Sequence, residues 1–147
     1  MNSVVLTRDV LDPEALTAGV QKAENGGVVT FLGVTRNHND GRSVLYLEYE
    51  AYEEMALQEL RKIVDEAQRQ WPDIAIAVAH RLGRVDIGEV SLVVAVSSPH
   101  RAEAFVACAY AVDHIKQTVP IWKREVFTGG QVWIGSEGGE GATAESR

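Results

Sequence analysis

The amino-acid sequence predicts a single α+β domain with a largely antiparallel sheet and covering helices. Short runs of β-branched and aromatic residues, each of strand length, are spread over the whole chain. Longer segments between them carry apolar residues at helical spacing. The elements follow in the order strand, helix, two strands, helix, two or three strands, helix and strand, which is typical of this class. With 147 residues the chain has the length of one domain, predicted to span residues 1–135. Residues 136–147, rich in glycine and glutamate, are predicted to be a flexible tail.

The first half of the chain has clear start and stop signals. Asp12-Pro13-Glu14 supplies a helix cap, a first-turn proline and a first-turn acid, and Asn25-Gly26-Gly27 ends that helix. A later segment has an apolar stripe with charged residues on the opposite side, which predicts a helix covering a sheet. The predicted elements are a strand at 3–6, a helix at 12–24, strands at 28–34 and 44–52, and a helix at 53–70.

A polar loop at residues 36–43 connects two of these strands. It contains Asp40-Gly41 and is predicted to be a mobile hairpin loop that could close over a ligand. A plain solvated turn is an equally good interpretation of this composition. Arg36, anchored at the strand end, favours the functional interpretation, whereas His38 and Arg42 are not candidates.

The second half of the chain is predicted to contain two further strands at 74–80 and 90–97. Glycines in the connecting segment 83–88 indicate turns, and the segment is compatible with a short extra strand. A helix is predicted to start at Ser98-Pro99, and a last strand begins near Val119. His80 is expected to be a structural residue, and Cys108 is expected to be a small core residue. The predicted buried stripe of the last helix is Ala102, Phe105, Val106, Ala109 and Val112.

Composition excludes several function classes. The formal net charge of −7 argues against a general nucleic-acid face and against binding to anionic membranes. One cysteine builds neither a disulfide framework nor a thiolate zinc cluster, and the four histidines lack ligand spacing, so no metal site is expected. No phosphate-binding glycine loop, no signal peptide and no membrane-spanning run is present, so the sequence indicates a reducing, cytoplasmic protein.

Basic side chains are concentrated between residues 97 and 125 of this acidic chain. His100 and Arg101 fall where a helix should begin, and the positive end of the helix dipole disfavours cations there. This pairing indicates an anionic ligand, although a solvated first turn is the plain alternative. Lys116 lies at the other end of the same helix, roughly 22 to 24 Å away at about 1.5 Å per residue. A pocket that uses both ends therefore needs either other segments that fold back or a second copy of the chain, and a symmetric dimer is the natural expectation.

The strand that contains Lys123 and Arg124 places one of these cations on each of its faces, next to large apolar residues. A lysine held among apolar groups has a lowered pKa and can act as a base, an acid or a nucleophile. The position of Lys116 is also explained by the helix dipole, which favours a cation at a helix end. Glu48 and Glu50 alternate with apolar residues and are expected on a solvent face.

Several segments together carry a family resemblance. The most specific are Pro-Ile-Trp-Lys-Arg-Glu at 120–125, preceded by Lys116, and Ser-Pro-His-Arg-Ala-Glu-Ala-Phe at 98–105. The supporting segments are 31–37, 47–52, 80–83 and 88–89. In this combination the chain resembles the large, catalytic subunit of molybdopterin synthase, from about residue 3 to residue 134.

The resemblance implies a cytoplasmic enzyme of molybdenum cofactor biosynthesis with an α/β hammerhead-like fold. Such an enzyme converts cyclic pyranopterin monophosphate into molybdopterin by installing two dithiolene sulfurs. The implied partner is a small ubiquitin-like subunit whose C-terminal glycine carries a thiocarboxylate. The resemblance also implies that large subunits form the central dimer of a heterotetramer. This chain ends in Ala-Glu-Ser-Arg, so it is not expected to be the sulfur carrier.

The resemblance also assigns site residues by position. Arg36, His100 and Arg101 would hold the pterin and its phosphate. Lys116 and Lys123 would lie beside the attacking sulfur as the catalytic residues, Lys116 being the stronger candidate. The flanking substrate contacts would be Val34, Thr35, Arg124 and Glu125. The family often has valine where this chain has Thr35, a β-branched replacement that preserves a strand.

Two other functions remain open at this point. A binding module could use the same cations to sequester an anion without chemistry. A structural subunit would tolerate changes at both lysines.

Overall fold

The computed structural model describes residues 2–135, which form three helices and nine strands. The α+β class and the mostly antiparallel pairing are confirmed. The predicted tail at 136–147 lies outside the described residues. The elements are β1 Ser3–Thr7, α1 Pro13–Val20, β2 Gly27–Val34, β3 His38–Asn39, β4 Arg42–Ala51, α2 Glu53–Gln70, β5 Ala75–Arg81, β6 Gly83–Asp86, β7 Val90–Ser98, α3 Arg101–Thr118, β8 Ile121–Phe127 and β9 Gly130–Ile134.

The strands form two sheets rather than the one sheet that the sequence predicted. Sheet 1 has the order β1-β5-β7-β2, with only the β1–β5 pair parallel, and sheet 2 has the order β3-β4-β8-β9, with β6 also paired to β4. The chain passes from sheet 1 to sheet 2 between β5 and β6. Gly83 adopts a φ of 84° there, a left-handed conformation that glycine reaches without a steric penalty.

The main core lies between sheet 1 and helices α2 and α3. Strand side chains alternate between the two faces of a sheet, so β5 directs Ile76 and Val78 towards these helices and Ala75 and Ala77 towards α1. On the α1 face the small alanines of the strands pack against the buried Val20. No helix within residues 2–135 has both the length and the apolar character needed to cross a membrane.

Helix α3 differs from its prediction in start and in orientation. It begins at Arg101, because Ser98 remains in β7 and its hydroxyl donates to the carbonyl of His100. The predicted buried stripe is wrong: Phe105 and Val106 are 58% and 49% exposed. The buried residues are Ala104, Ala107, Cys108, Ala111 and Ile115. Most of them are small, and they fit closely against the valines of sheet 1.

Helix α1 ends at Val20 instead of Glu24, the predicted end. Ser97 explains the early stop. Its hydroxyl donates to the Val20 carbonyl, and the side-chain amide of Asn25 donates to the Ser97 Oγ at 2.8 Å. These bonds direct the chain towards β7 and into β2.

The segment predicted as a polar loop at 36–43 is a short β3–β4 hairpin. Asp40 and Gly41 form its tip with φ values of 51° and 76°. Two consecutive positive φ angles are typical of a type I′ turn, whose twist matches that of paired strands. The extra strand allowed for between residues 83 and 88 is present as β6.

Candidate active site

One end of sheet 1 gathers several of the predicted site residues. Strand β2 ends at Val34, opposite Val90 at the start of β7, and Arg36 follows two residues later. Helix α3 follows β7 after a short connection and packs back along β7 and β2, so its last turn, with Lys116, returns to this same end. We call this edge, where β2 ends and β7 begins, the lysine end.

Sheet 2 brings Lys123 to the lysine end. Lys123 is half-buried and shares its strand face with Ile121 and Glu125, which are both buried. Across the strand pair it lies opposite Tyr49. The Tyr49 ring meets the His80 ring edge-on, with a centroid separation of 5.1 Å. The two lysines therefore lie beside one aromatic pair, formed by the half-buried Tyr49 and the buried His80.

His80 is uncharged in this setting. Burial lowers the pKa of its imidazole to about 4, and the nearby positive charge of Lys116 adds to the lowering, while a hydrogen bond to the Arg81 carbonyl opposes it. Nδ1 lies 2.9 Å from that carbonyl oxygen, so Nδ1 carries the proton and donates. Nε2 is consequently the ring nitrogen with a lone pair.

Tyr49 is anchored beside His80. Its hydroxyl donates to the Ser91 Oγ at 3.4 Å, and Ser91 donates in turn to the Gly33 carbonyl at 3.4 Å. Ser91 lies at the irregularity in the β2–β7 pairing, a feature that can redirect a side chain. Burial raises the pKa of Tyr49, so its phenol keeps its proton at neutral pH. Sequence reasoning did not identify Tyr49 or Ser91 as site residues.

Glu125 is held by the β3–β4 hairpin. The carboxylate is 2% exposed, accepts from the Asn39 side-chain amide at 3.0 Å and pairs with the Arg42 guanidinium at 3.2 Å. Arg42 also lies over the ring of Phe127, 4.7 Å from its centroid. These contacts tie β8 to the hairpin that follows Arg36. Asn39 and Arg42 were not predicted as site residues, because their partner is distant in sequence.

Arg124 projects to the opposite face of β8 from Lys123. It forms an ion pair with Glu48, donates to the side chain of Gln131 and lies 5.7 Å from the ring centroid of Trp133. The structure thus does not bring the guanidinium of Arg124 together with the two lysines.

Thr35 fixes the backbone that carries Arg36. Its N–H donates to the Glu89 carbonyl at 3.1 Å, and its own carbonyl accepts from Gly88 at 2.9 Å. The Thr35 side chain is 4% exposed, and its hydroxyl has no hydrogen-bond partner within residues 2–135. Arg36 itself is exposed, and so is Val34.

His100 and Arg101 lie at the other end of sheet 1. They line an open pocket of about 530 Å³ together with Gly26, Pro99, Ala102 and Phe105. A Cβ atom on Gly27 would lie 3.0 Å from the Cα of Arg101, so glycine lets the start of α3 approach β2 closely. About 22 Å of helix separates Arg101 from Lys116. A single chain therefore presents two separate basic half-sites.

Comparisons with known proteins agree with this fold. The family model described as MoaE protein matches residues 6–118. The molybdopterin synthase catalytic subunit of Bacillus subtilis is 43% identical over 137 residues, which is 93% of this chain and 87% of the relative.

Two solved structures are similar as well. The X-ray crystal structure of molybdopterin synthase from Staphylococcus aureus matches with a TM-score of 0.85 and 37% identity, over 88% of this chain and 94% of that chain. A chain from the protein–protein complex of subunits 1 and 2 of the molybdopterin-converting factor from Helicobacter pylori matches with a TM-score of 0.69. At 20% identity, over 88% of this chain and 87% of that chain, this second likeness is one of fold.

Proposed function

Because the chain belongs to the MoaE protein family, we propose that it converts cyclic pyranopterin monophosphate into molybdopterin. Its relatives make it an enzyme of molybdenum cofactor biosynthesis. In the proposed reaction, the thiocarboxylated C-terminal glycine of a small ubiquitin-like carrier supplies the two dithiolene sulfurs. The observation that supports this proposal is that β2, α3 and β8 bring the positions of Arg36, Lys116 and Lys123 to the lysine end.

Lys116 and Lys123 are the proposed catalytic residues. Attack by a thiocarboxylate sulfur and opening of a cyclic phosphate both redistribute negative charge and move protons. An ammonium group stabilises such charge and donates a proton, and its conjugate amine accepts one. Lys123 lies on the inward face of β8, whereas Lys116 projects from the last turn of α3, so the pair can approach a substrate from two sides.

Arg36 is the proposed phosphate ligand from the same chain. It follows the buried Thr35, whose backbone is bonded on both sides to the β6–β7 turn. A guanidinium can donate two parallel hydrogen bonds to phosphate oxygens. Fixing the backbone next to this residue limits the conformational entropy that is lost when the substrate binds.

His100 and Arg101 are proposed to reach the substrate from a second copy of the chain. Within one chain they lie a helix length from the lysines, but a two-fold axis can place the start of one α3 near the lysine end of its partner. Phe105 and Val106 of α3 are exposed apolar residues close to this pocket, and β2, an edge strand, exposes Val28 and Leu32. A dimer would cover these side chains.

The proposed partner is the sulfur carrier subunit. The H. pylori chain of the same fold was solved in a complex of subunits 1 and 2 of the molybdopterin-converting factor, which supports a second subunit as the partner. Val34, Thr35, Arg124 and Glu125 flank the proposed pocket. Glu125 pairs with Arg42 and Arg124 pairs with Glu48, so these two residues are proposed to support the structure of the pocket. The cytoplasm is the proposed location, in keeping with the buried, unpaired Cys108.

The direct test is to incubate the purified protein with cyclic pyranopterin monophosphate and a thiocarboxylated carrier and to detect the dithiolene product. We expect Lys116→Ala and Lys123→Ala to reduce product formation to a small residual rate. Lys62→Ala is the matched control, since Lys62 is an exposed lysine of α2 that pairs only locally, with Glu59. A wild-type protein that forms no product would exclude the proposed reaction.

The binding-module alternative makes a different prediction. If the cations only sequester an anion, Lys116→Ala weakens pterin binding, and this weaker binding accounts for any fall in product formation. If Lys116 acts in the reaction, the variant binds the pterin with near-normal affinity and loses turnover. Equilibrium binding and single-turnover measurements on the same variant separate the two.

A further inference from the structure

His80 faces the last turn of α3. Strand β5 directs Ile76 and Val78 into the core that α3 covers, and His80 continues this alternation at the lysine end of the strand. Ile115 of α3 is buried in that same core, and Lys116 is the next residue. Lys116 is close enough for its charge to act on the imidazole.

The orientation of the imidazole is fixed on two sides. Nδ1 donates to the Arg81 carbonyl at 2.9 Å, and the ring edge contacts Tyr49 at a centroid separation of 5.1 Å. With Nδ1 as the donor, Nε2 can only accept a hydrogen bond. Within residues 2–135, Nδ1 is the ring nitrogen of His80 that forms a hydrogen bond.

Lys116 is a nearby group that can donate to Nε2. It is exposed on the last turn of α3 and makes no hydrogen bond or ion pair within residues 2–135. A lysine side chain has several flexible bonds, so an unattached ammonium samples many positions. The hydroxyl of Tyr49 already donates to Ser91 and does not compete for Nε2.

We propose that His80 is a positioning residue for Lys116, and that its Nε2 lone pair accepts a hydrogen bond from the lysine amine and holds that amine at the reaction site. This inference rests on the proposed function, in which Lys116 acts on the substrate. A neutral imidazole is suited to the task, because an imidazolium would repel the ammonium and would have no lone pair to offer.

Two substitutions separate the roles of the two ring nitrogens. His80→Asn keeps an amide donor near the position of Nδ1 for the Arg81 carbonyl and removes Nε2. His80→Gln extends an amide to the Nε2 position and can still accept from Lys116. We expect His80→Asn to lower kcat roughly tenfold with little change in KM, since one hydrogen bond to a charged group is lost. His80→Gln should retain most of the activity.

A double-mutant cycle distinguishes positioning from a general structural role. If His80 acts through Lys116, His80→Asn has no further effect in the Lys116→Ala background, measured on the residual rate. An equal loss in both backgrounds would overturn the proposal. Should His80→Asn fail to fold, as judged by circular dichroism, His80→Phe keeps the ring beside Tyr49, lacks Nε2 and enters the same cycle.

A second readout needs no substrate. Acetic anhydride labels lysine amines, and peptide mass spectrometry gives the rate for Lys116 relative to Lys62 in the same molecule. A hydrogen bond from the ammonium to Nε2 protects the amine, so His80→Asn should speed the labelling of Lys116 roughly twofold to tenfold, and His80→Gln should not.

The two readouts keep the two proposals apart. If the wild type makes no molybdopterin but the labelling depends on His80, the proposed function fails and the positioning of Lys116 stands. If the wild type is active and His80→Asn changes neither the labelling nor kcat, the inference about His80 is wrong.

Discussion

At the residue scale, the buried His80 makes the stability of the protein depend on pH. Its pKa is about 4 in the folded state, whereas the ordinary value is 6.5. Between these values the unfolded chain binds a proton that the folded chain does not. This contribution to the free energy of unfolding is therefore complete above pH 6.5 and is lost as the pH falls towards 4, by about 3 kcal/mol in total.

Urea denaturation at several pH values between 7.5 and 4 measures this loss. We expect His80→Gln to show a shallower decline than the wild type, because its side chain does not titrate. Parallel declines for the two proteins would show that other groups dominate. Tyr49, Arg81 and Lys116 surround the imidazole and are retained in this comparison.

The carboxylate of Glu125 is expected to stabilise the fold more than a surface carboxylate does. Glu125→Gln keeps the volume but leaves the guanidinium of Arg42, whose side chain is 25% exposed, without its charge partner. We predict a loss of about 2 kcal/mol in the free energy of unfolding. Glu59→Gln, which removes a surface pair with Lys62, is the control and should cost less than about 1 kcal/mol. Equal losses in the free energy of unfolding for the two variants would mean that the burial of Glu125 adds no stability.

At the element scale, the contact between β2 and α3 depends on Gly27. A methyl group there would lie 3.0 Å from the Cα and 3.2 Å from the N of Arg101, and both are backbone atoms that cannot rotate away. We predict that Gly27→Ala destabilises the protein by roughly 1 to 3 kcal/mol and weakens anion binding at His100 and Arg101. Chemical denaturation and phosphate titration measure the two effects.

Gly19→Ala is the matched control for this substitution. No atom lies within 4 Å of the added methyl group, and Gly19 is in helix α1, where alanine is favoured by about 1 kcal/mol. The control variant should be as stable as the wild type or more so. A stable Gly27→Ala protein with unchanged anion binding would contradict the packing described for this junction.

The helices also show what the sequence could and could not predict. Helix α2 has charged residues on one side and apolar residues on the other, so its bounds and buried face followed from spacing alone. Helix α3 is apolar on two sides. The larger Phe105 and Val106 suggested the wrong face, because bulky strand valines select small helix residues as neighbours. That selection depends on the sheet, which helical periodicity does not describe.

The candidate site was predictable to a similar extent. Arg36, Lys116 and Lys123 were found because they belong to specific sequence segments. The contact between Tyr49 and His80 was not predicted, since it forms where the two sheets meet and neither strand pattern encodes that approach. The ion pair between Arg42 of the hairpin and Glu125 was not predicted for the same reason.

At the scale of the whole molecule, the proposed pockets each combine residues from two chains. A mixing experiment tests this directly. A chain with His100→Ala and Arg101→Ala lacks one half-site, and a chain with Lys116→Ala lacks the other, so each alone should be inactive. When the two are unfolded and refolded together, half of the dimers are mixed and each mixed dimer has one complete pocket of two. We expect recovery of about a quarter of the wild-type activity.

Absence of recovery in the mixture would contradict the shared pocket, provided that mixed dimers form. Differential tagging of the two chains and isolation of the doubly tagged species verify their formation. The wild-type protein, taken through the same unfolding and refolding, sets the reference activity.

The length of helix α3 sets the distance and the relative direction of the two basic half-sites. Insertions in this helix are therefore restricted. One inserted residue would turn everything beyond it by about 100° and would point Lys116 away from His80. Seven inserted residues, close to two turns, would restore the direction but move the lysine about 10 Å further from Arg101. Changes in chain length compatible with activity should therefore fall outside this helix, for instance at the Asp40-Gly41 tip.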